Sequence, residues 1–140
     1  NSISYIKHKE VVYIIKYNTA AEIQIFESMG FEKLITKEGA GNKPLKGQNV
    51  QVHCTGYGKH RNLDEKFWST KDPGQEPFSF KVGVGQVIKG WDEGVLSMRL
   101  GEIAILTCTP DFAYGAGGFP AWGIEPNSIL KFEIEVLKIQ

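Results

Sequence analysis

Few residues in this 140-residue chain could do chemistry on their own, and their spacing forbids most reactions. His53 and Cys54 are neighbours on a stretch that alternates like a strand. Their side chains therefore point to opposite faces and cannot act as a dyad. His8, His53 and His60 do not fall at metal-ligand spacing with Cys54 and Cys108, so no metal is expected. Gly83-Val84-Gly85 is followed only by Gly90, which is not a dinucleotide-binding spacing, and no glycine loop leads into a lysine-serine pair. What remains is aromatic. Trp91, Val95 and Met98 fall at i, i+4 and i+7, the apolar stripe of a short amphipathic helix. A tryptophan near the start of such a helix either fills core or floors a pocket. Phe67, Phe78, Val87, Ile88, Tyr114, Phe119, Ile124 and Phe132 are the candidate walls. Of these, Phe67, Tyr114, Phe119 and Ile124 sit in Gly/Pro-rich segments, where large apolar residues are less expected unless they line something. Phe80, Leu106, Ile134 and Val136 read as ordinary core.

The elements that must hold these residues are mostly strands. Val50, Val52 and Cys54 alternate with Gln51, His53 and Thr55, and Phe78, Phe80 and Val82 alternate with Ser79 and Lys81. Leu130, Phe132, Ile134 and Val136 alternate with Lys131, Glu133 and Glu135. Ile103–Cys108 carries apolar residues on both faces and predicts a strand buried on both sides. A further strand is expected over Phe31–Thr36. Gly39, Gly41, Gly47, Asp72-Pro73-Gly74 and Gly115–Gly118 mark turns and loops. Five strands and one short helix predict an α+β fold, an antiparallel sheet folded around the helix.

Composition bounds the function. Sixteen basic and 16 acidic residues give a formal charge of zero, so there is no footprint for nucleic acid or an anionic membrane. The longest apolar runs, such as Val11–Ile15, fall far short of a membrane span. That run is also too short for a secretory signal and is flanked by Lys7, Lys9 and Lys16. Two cysteines make no disulfide framework in a chain this size. The expectation is a soluble cytoplasmic protein.

Three segments together carry a resemblance. They are Gln86-Val87-Ile88-Lys89-Gly90-Trp91-Asp92-Glu93-Gly94, Thr109-Pro110-Asp111-Phe112-Ala113-Tyr114-Gly115, and Phe119-Pro120-Ala121-Trp122-Gly123-Ile124. With Phe67, Phe78 and Phe80 ahead of them, they resemble the FK506-binding (FKBP-type) peptidyl-prolyl cis-trans isomerases from about Met29 to Gln140. Lys66-Phe67-Trp68-Ser69-Thr70-Lys71-Asp72, Gly115–Ile124 and Asn127-Ser128 are similar to the small single-domain, plant-like members. The resemblance implies an isomerase domain over 29–140 and an appended leader over 1–28, either non-native or disordered sequence or a genuine extension. Met29-Gly30 stands where a plain small member would start, and 1–28 lack the strand and turn punctuation of the rest. No functional residue is expected in the leader, although Ile14, Ile15, Ile23 and Ile25 could build an element that meets a partner.

The resemblance implies rotation about X–Pro bonds in an apolar pocket, with no cofactor. Phe67, Phe78, Val87, Ile88, Trp91, Tyr114, Ile124 and Phe132 would surround the proline, with Trp91 beneath its ring. The Tyr114 hydroxyl and the Ile88 N–H would hold the chain. Partners would be X–Pro polypeptides, FK506- or rapamycin-type macrolides, and a second protein recruited by the ligand complex through the Ala113–Glu125 loop. The alternative is a non-catalytic module that docks a partner through the same pocket. Two positions depart from the broader family: Trp68 stands where many members carry an aspartate, and Cys54 where many carry a pocket tyrosine. Trp68 either enlarges the apolar rim or packs under the Lys59–Asp64 loop. Cys54 and Cys108 are either two buried reduced thiols or a bridge that ties the pocket wall to the Thr109–Gly118 loop.

Overall fold

In the computed structural model the backbone is described for residues 2–8, 11–17, 23–28 and 30–140, and side chains for 30–140. The chain forms two units, Asn1–Gly30 and Phe31–Gln140. The first is an antiparallel meander of β1 (Ser2–His8), β2 (Val11–Tyr17) and β3 (Ile23–Ser28), in that order. Ile14 and Ile15 fall on β2, and Ile23 and Ile25 on β3.

The second unit contains β4 (Phe31–Lys37), β5 (Asn49–Tyr57), β6 (Lys66–Ser69), β7 (Phe78–Lys81), α1 (Lys89–Leu96), β8 (Ile103–Cys108) and β9 (Leu130–Ile139). The antiparallel order is β4-β8-β9-β5-β6, with β7 also paired to β5. β7 takes Asn49–Val52 of β5 and β6 takes Thr55–Tyr57, so the two share one edge. The sheet is therefore five positions wide but has six strands. Within this unit, β6 is the strand that the alternation did not predict. Its pairing slips between Gly56 opposite Trp68 and Tyr57 opposite Lys66, leaving Phe67 as an extra residue. Such a bulge breaks the period of two and re-aims side chains.

The inward face of the sheet follows the sequence pattern closely. Val50, Val52, Cys54, Ala104, Leu106, Cys108, Leu130, Phe132, Ile134 and Val136 are all buried. β8 is fully buried on that face, whereas Ile103 and Ile105 on its other face are only half-buried.

At eight residues, α1 is too short to persist alone and depends on packing. Trp91 and Val95 lie on its buried face, and Met98 is equally buried just past its end. Gly90 and Gly94 let the helix lie against β8. A methyl group on Gly90 would strike the Cys108 sulfur, and one on Gly94 would come within 2.5 Å of Leu106. Opposite the helix end, Lys33 on β4 donates to the buried Glu102 carboxylate (3.0 Å) and to the Ser97 carbonyl (2.9 Å), joining three segments.

Candidate functional site

The first wall of the site comes from the turn before α1. Gly83 and Gly85 have φ of 80° and 81°, the left-handed region that favours glycine. Their N–H groups donate to the two oxygens of the Asp92 carboxylate at 2.9 and 2.8 Å. Asp92 sits in the first turn of α1, so this clamp fixes the approach of Gln86, Val87 and Ile88 to the helix. The Ile88 carbonyl accepts from the N–H groups of Trp91 (3.0 Å) and Asp92 (3.1 Å). Among the described residues its own N–H has no acceptor.

The opposite wall is the loop between β8 and β9. Gly115 N–H donates to Pro110 O at 2.8 Å, and Asn127 N–H to Gly115 O at 2.8 Å, closing the loop around Tyr114. Phe119 and Ile124 exchange backbone hydrogen bonds of 2.8 and 3.1 Å across the turn Pro120–Trp122. Arg61 braces the far side through the Pro126 and Asn127 carbonyls and an ion pair with Glu125 at 3.2 Å.

Between these walls lies a cavity of about 330 Å³, lined by Trp68, Phe78, Gln86, Val87, Ile88, Trp91, Tyr114, Trp122 and Phe132. That is the lower end of the size range for small-ligand sites. Trp91 stands at right angles to Phe132 (5.5 Å, 89°), lies edge-on to Phe78 (5.9 Å, 74°) and tilts against Phe80 (5.6 Å, 52°). Its buried Nε1–H has no hydrogen-bond partner among the described residues. A buried donor left so costs about 1–3 kcal/mol. Ring contacts, not polar ties, therefore set the indole.

Among the described residues Tyr114 is the one titratable group on the lining. Burial first, and then the charge of Cys54, pushes its pKa above the ordinary tyrosine value. The phenol stays neutral, and among the described residues its hydroxyl has no acceptor. The walls thus offer two unspent donors, this hydroxyl and the Ile88 N–H. Apart from this neutral phenol, no acid, base or nucleophile among the described residues lines the cavity.

Of the residues proposed from sequence, the structure brings Phe78, Val87, Ile88, Trp91, Tyr114 and Phe132 onto the lining. Phe67, Phe119 and Ile124 stand elsewhere. Phe67 lies behind the wall, stacked on Trp122 (5.7 Å, 27°) and edge-on to Phe132 (5.9 Å, 87°). Phe119 is at the outer rim, against Trp122 at 4.8 Å and Tyr114 at 5.4 Å. Ile124 is buried beneath the loop as its anchor. Trp68, Gln86 and Trp122 join the lining instead. Trp68 lines the cavity, as the apolar-rim reading expects.

Cys54 and Cys108 are both buried free thiols, so the bridge weighed from sequence is not made. β9 runs between their strands, with Cys54 opposite Ile134 and Cys108 opposite Leu130. Cysteines on strands that are not neighbours need backbone movement before their sulfurs can join.

The sequence that builds this sheet, helix and aromatic cavity matches a known family. Residues 40–137 match the FKBP-type peptidyl-prolyl cis-trans isomerase domain, and the chain belongs to that family. Among similar proteins are a peptidyl-prolyl cis-trans isomerase FKBP12 of Vicia faba, 70% identical, and one of Arabidopsis thaliana, 65% identical. Each alignment covers 80% of this chain and 100% of the relative. FK506-binding protein 1 of Dictyostelium discoideum is 52% identical over 78% of this chain and 97% of its own length.

Proposed function

We propose that this chain accelerates cis-trans rotation about X–Pro peptide bonds in the aromatic cavity, with the proline ring laid on Trp91. The observation that carries the reading is a cavity whose walls offer ring faces and two unspent donors but no reactive group. Amide rotation has a barrier of about 18–20 kcal/mol because resonance gives the C–N bond double-bond character. At X–Pro the two isomers differ by only about 0.5–1 kcal/mol, yet they exchange over tens to hundreds of seconds. The twisted transition state has lost the resonance, and its carbonyl is less polar than that of the planar amide. A site that removes water therefore disfavours the planar ground state more than the twisted one. The Tyr114 hydroxyl and the Ile88 N–H then need only hold the flanking carbonyls.

The relatives named FK506-binding proteins support the same cavity as a macrolide site. The Ala113–Glu125 loop beside it would then meet a second protein recruited by the bound macrolide. Exchange spectroscopy on a short Ala-Pro peptide, with and without FK506, tests the proposal. Acceleration that FK506 abolishes is expected. Binding of peptide and FK506 with no acceleration would make the protein a docking module.

A further inference from the structure

Trp68 and Trp122 line the cavity but have no role in the proline site as argued above. Their indoles are parallel within 4°, with ring centroids 6.0 Å apart. Phe78 meets Trp68 edge-on at 6.2 Å and 89°. Trp122 is backed by Phe67 at 5.7 Å and by Phe119 at 4.8 Å, and Tyr114 meets it edge-on at 6.4 Å. Neighbouring rings thus hold both indoles in orientation before any ligand arrives. Both are only half-buried, so part of each ring remains open to the cavity.

Parallel indoles held this way favour one kind of side chain. Another aromatic ring can pack on them face-to-face with offset, or edge to face, and gains beyond its buried area by doing so. A branched aliphatic chain of similar size gains the burial alone. A carboxylate loses water there, and among the described residues no cation lines the cavity to replace it. We infer that Trp68 and Trp122 form a specificity subsite beside the proline floor. It selects substrates in which a residue flanking the proline carries a planar aromatic side chain. The inference rests on the isomerase reading above and adds what that reading leaves open, the substrate class.

The test measures kcat/KM by exchange spectroscopy on short peptides with Leu, Phe or Trp placed before the proline in one series and after it in a second. In at least one series the aromatic peptides should exceed the Leu peptide by about threefold to tenfold. Trp68→Leu and Trp122→Leu should each bring that ratio to within about twofold of unity, and Trp68→Phe should retain most of it. A general loss of activity in a variant cancels in the ratio. Equal turnover of Phe and Leu peptides in both series, or a ratio that survives both leucine variants, overturns the subsite while leaving the isomerase intact. Acceleration of no peptide at all removes the isomerase reading, and this inference with it.

Discussion

The ring of Phe67 occupies the space that a side chain on Gly56 would fill: a methyl group there would collide with three of its ring carbons. Gly56 is opposite Trp68 on the bulged strand, so the missing side chain and the extra residue serve one purpose. They let Phe67 lie over the β5 backbone, edge-on to Phe132 and stacked on Trp122.

Gly56→Ala should therefore act on the cavity from behind. Overpacking of this kind costs about 1–3 kcal/mol. The denaturation midpoint should fall by a corresponding amount, and peptide turnover should fall further than stability alone explains, because Trp122 loses its backing. A variant with unchanged turnover would show that Phe67 carries no strain to the lining.

The contrast between β9 and β6 shows how much of this fold could be read in advance. Leu130 to Val136 alternate without interruption over one continuous hydrogen-bonded strand, so their faces follow from sequence alone. Phe67 and Trp68 are consecutive, and period-two logic sends them to opposite faces. The bulge brings both against Trp122, and a bulge leaves no mark on hydrophobic alternation. Trp91 was legible because the helical stripe announces it. Phe119 and Ile124 stand off the cavity lining for a different reason. They share a backbone bridge across a tight turn, which puts one at the outer rim and the other beneath, whereas composition marks both only as apolar loop residues.

Trp91→Leu should keep an apolar floor and lower catalytic efficiency only modestly. It should also remove most of the tryptophan fluorescence change on adding FK506, although Trp68 and Trp122 will retain a share because they line the same cavity. A full-sized response in the variant would place the ligand away from the floor.

Tyr114→Phe removes one hydroxyl and no packing. Peptide binding should weaken by about 0.5–1.5 kcal/mol, the net worth of a hydrogen bond. Because burial raises the pKa of Tyr114 and no other described residue on the lining titrates, turnover should be flat across neutral pH and begin to fall only above pH 10. An inflection near neutrality would require a titrating group outside this cavity.

Lys33→Met leaves the Glu102 carboxylate, only 2% exposed, without its cation. Breaking a buried pair from one side is strongly destabilising, and about 3 kcal/mol is expected. Glu102 also accepts from the Arg99 N–H, so Glu102→Gln should cost less than Lys33→Met. The cavity lies elsewhere, and urea midpoints should drop while kcat/KM at low temperature stays close to wild type.

The cysteines predict how the protein fails in alkali. Burial pushes the Cys108 thiol up to about 12 from an ordinary 9.0. Cys54 is also raised well above its ordinary value, by burial first and then by the charges of Cys108 and Glu133. Above pH 9 the unfolded chain releases these protons while the folded chain keeps them. The unfolded state then binds fewer protons, and stability falls as pH rises. The loss should run from about pH 9 towards 12. Urea midpoints at successive pH values should fall steeply for the reduced protein and less steeply for Cys108→Ala, which starts lower because it leaves a small void. A bridge between the two sulfurs would abolish both titrations. Air-oxidised protein with a flat profile, made steep again by reductant, would show that the strands move enough to join. The free-thiol structure predicts the same steep profile with and without reductant.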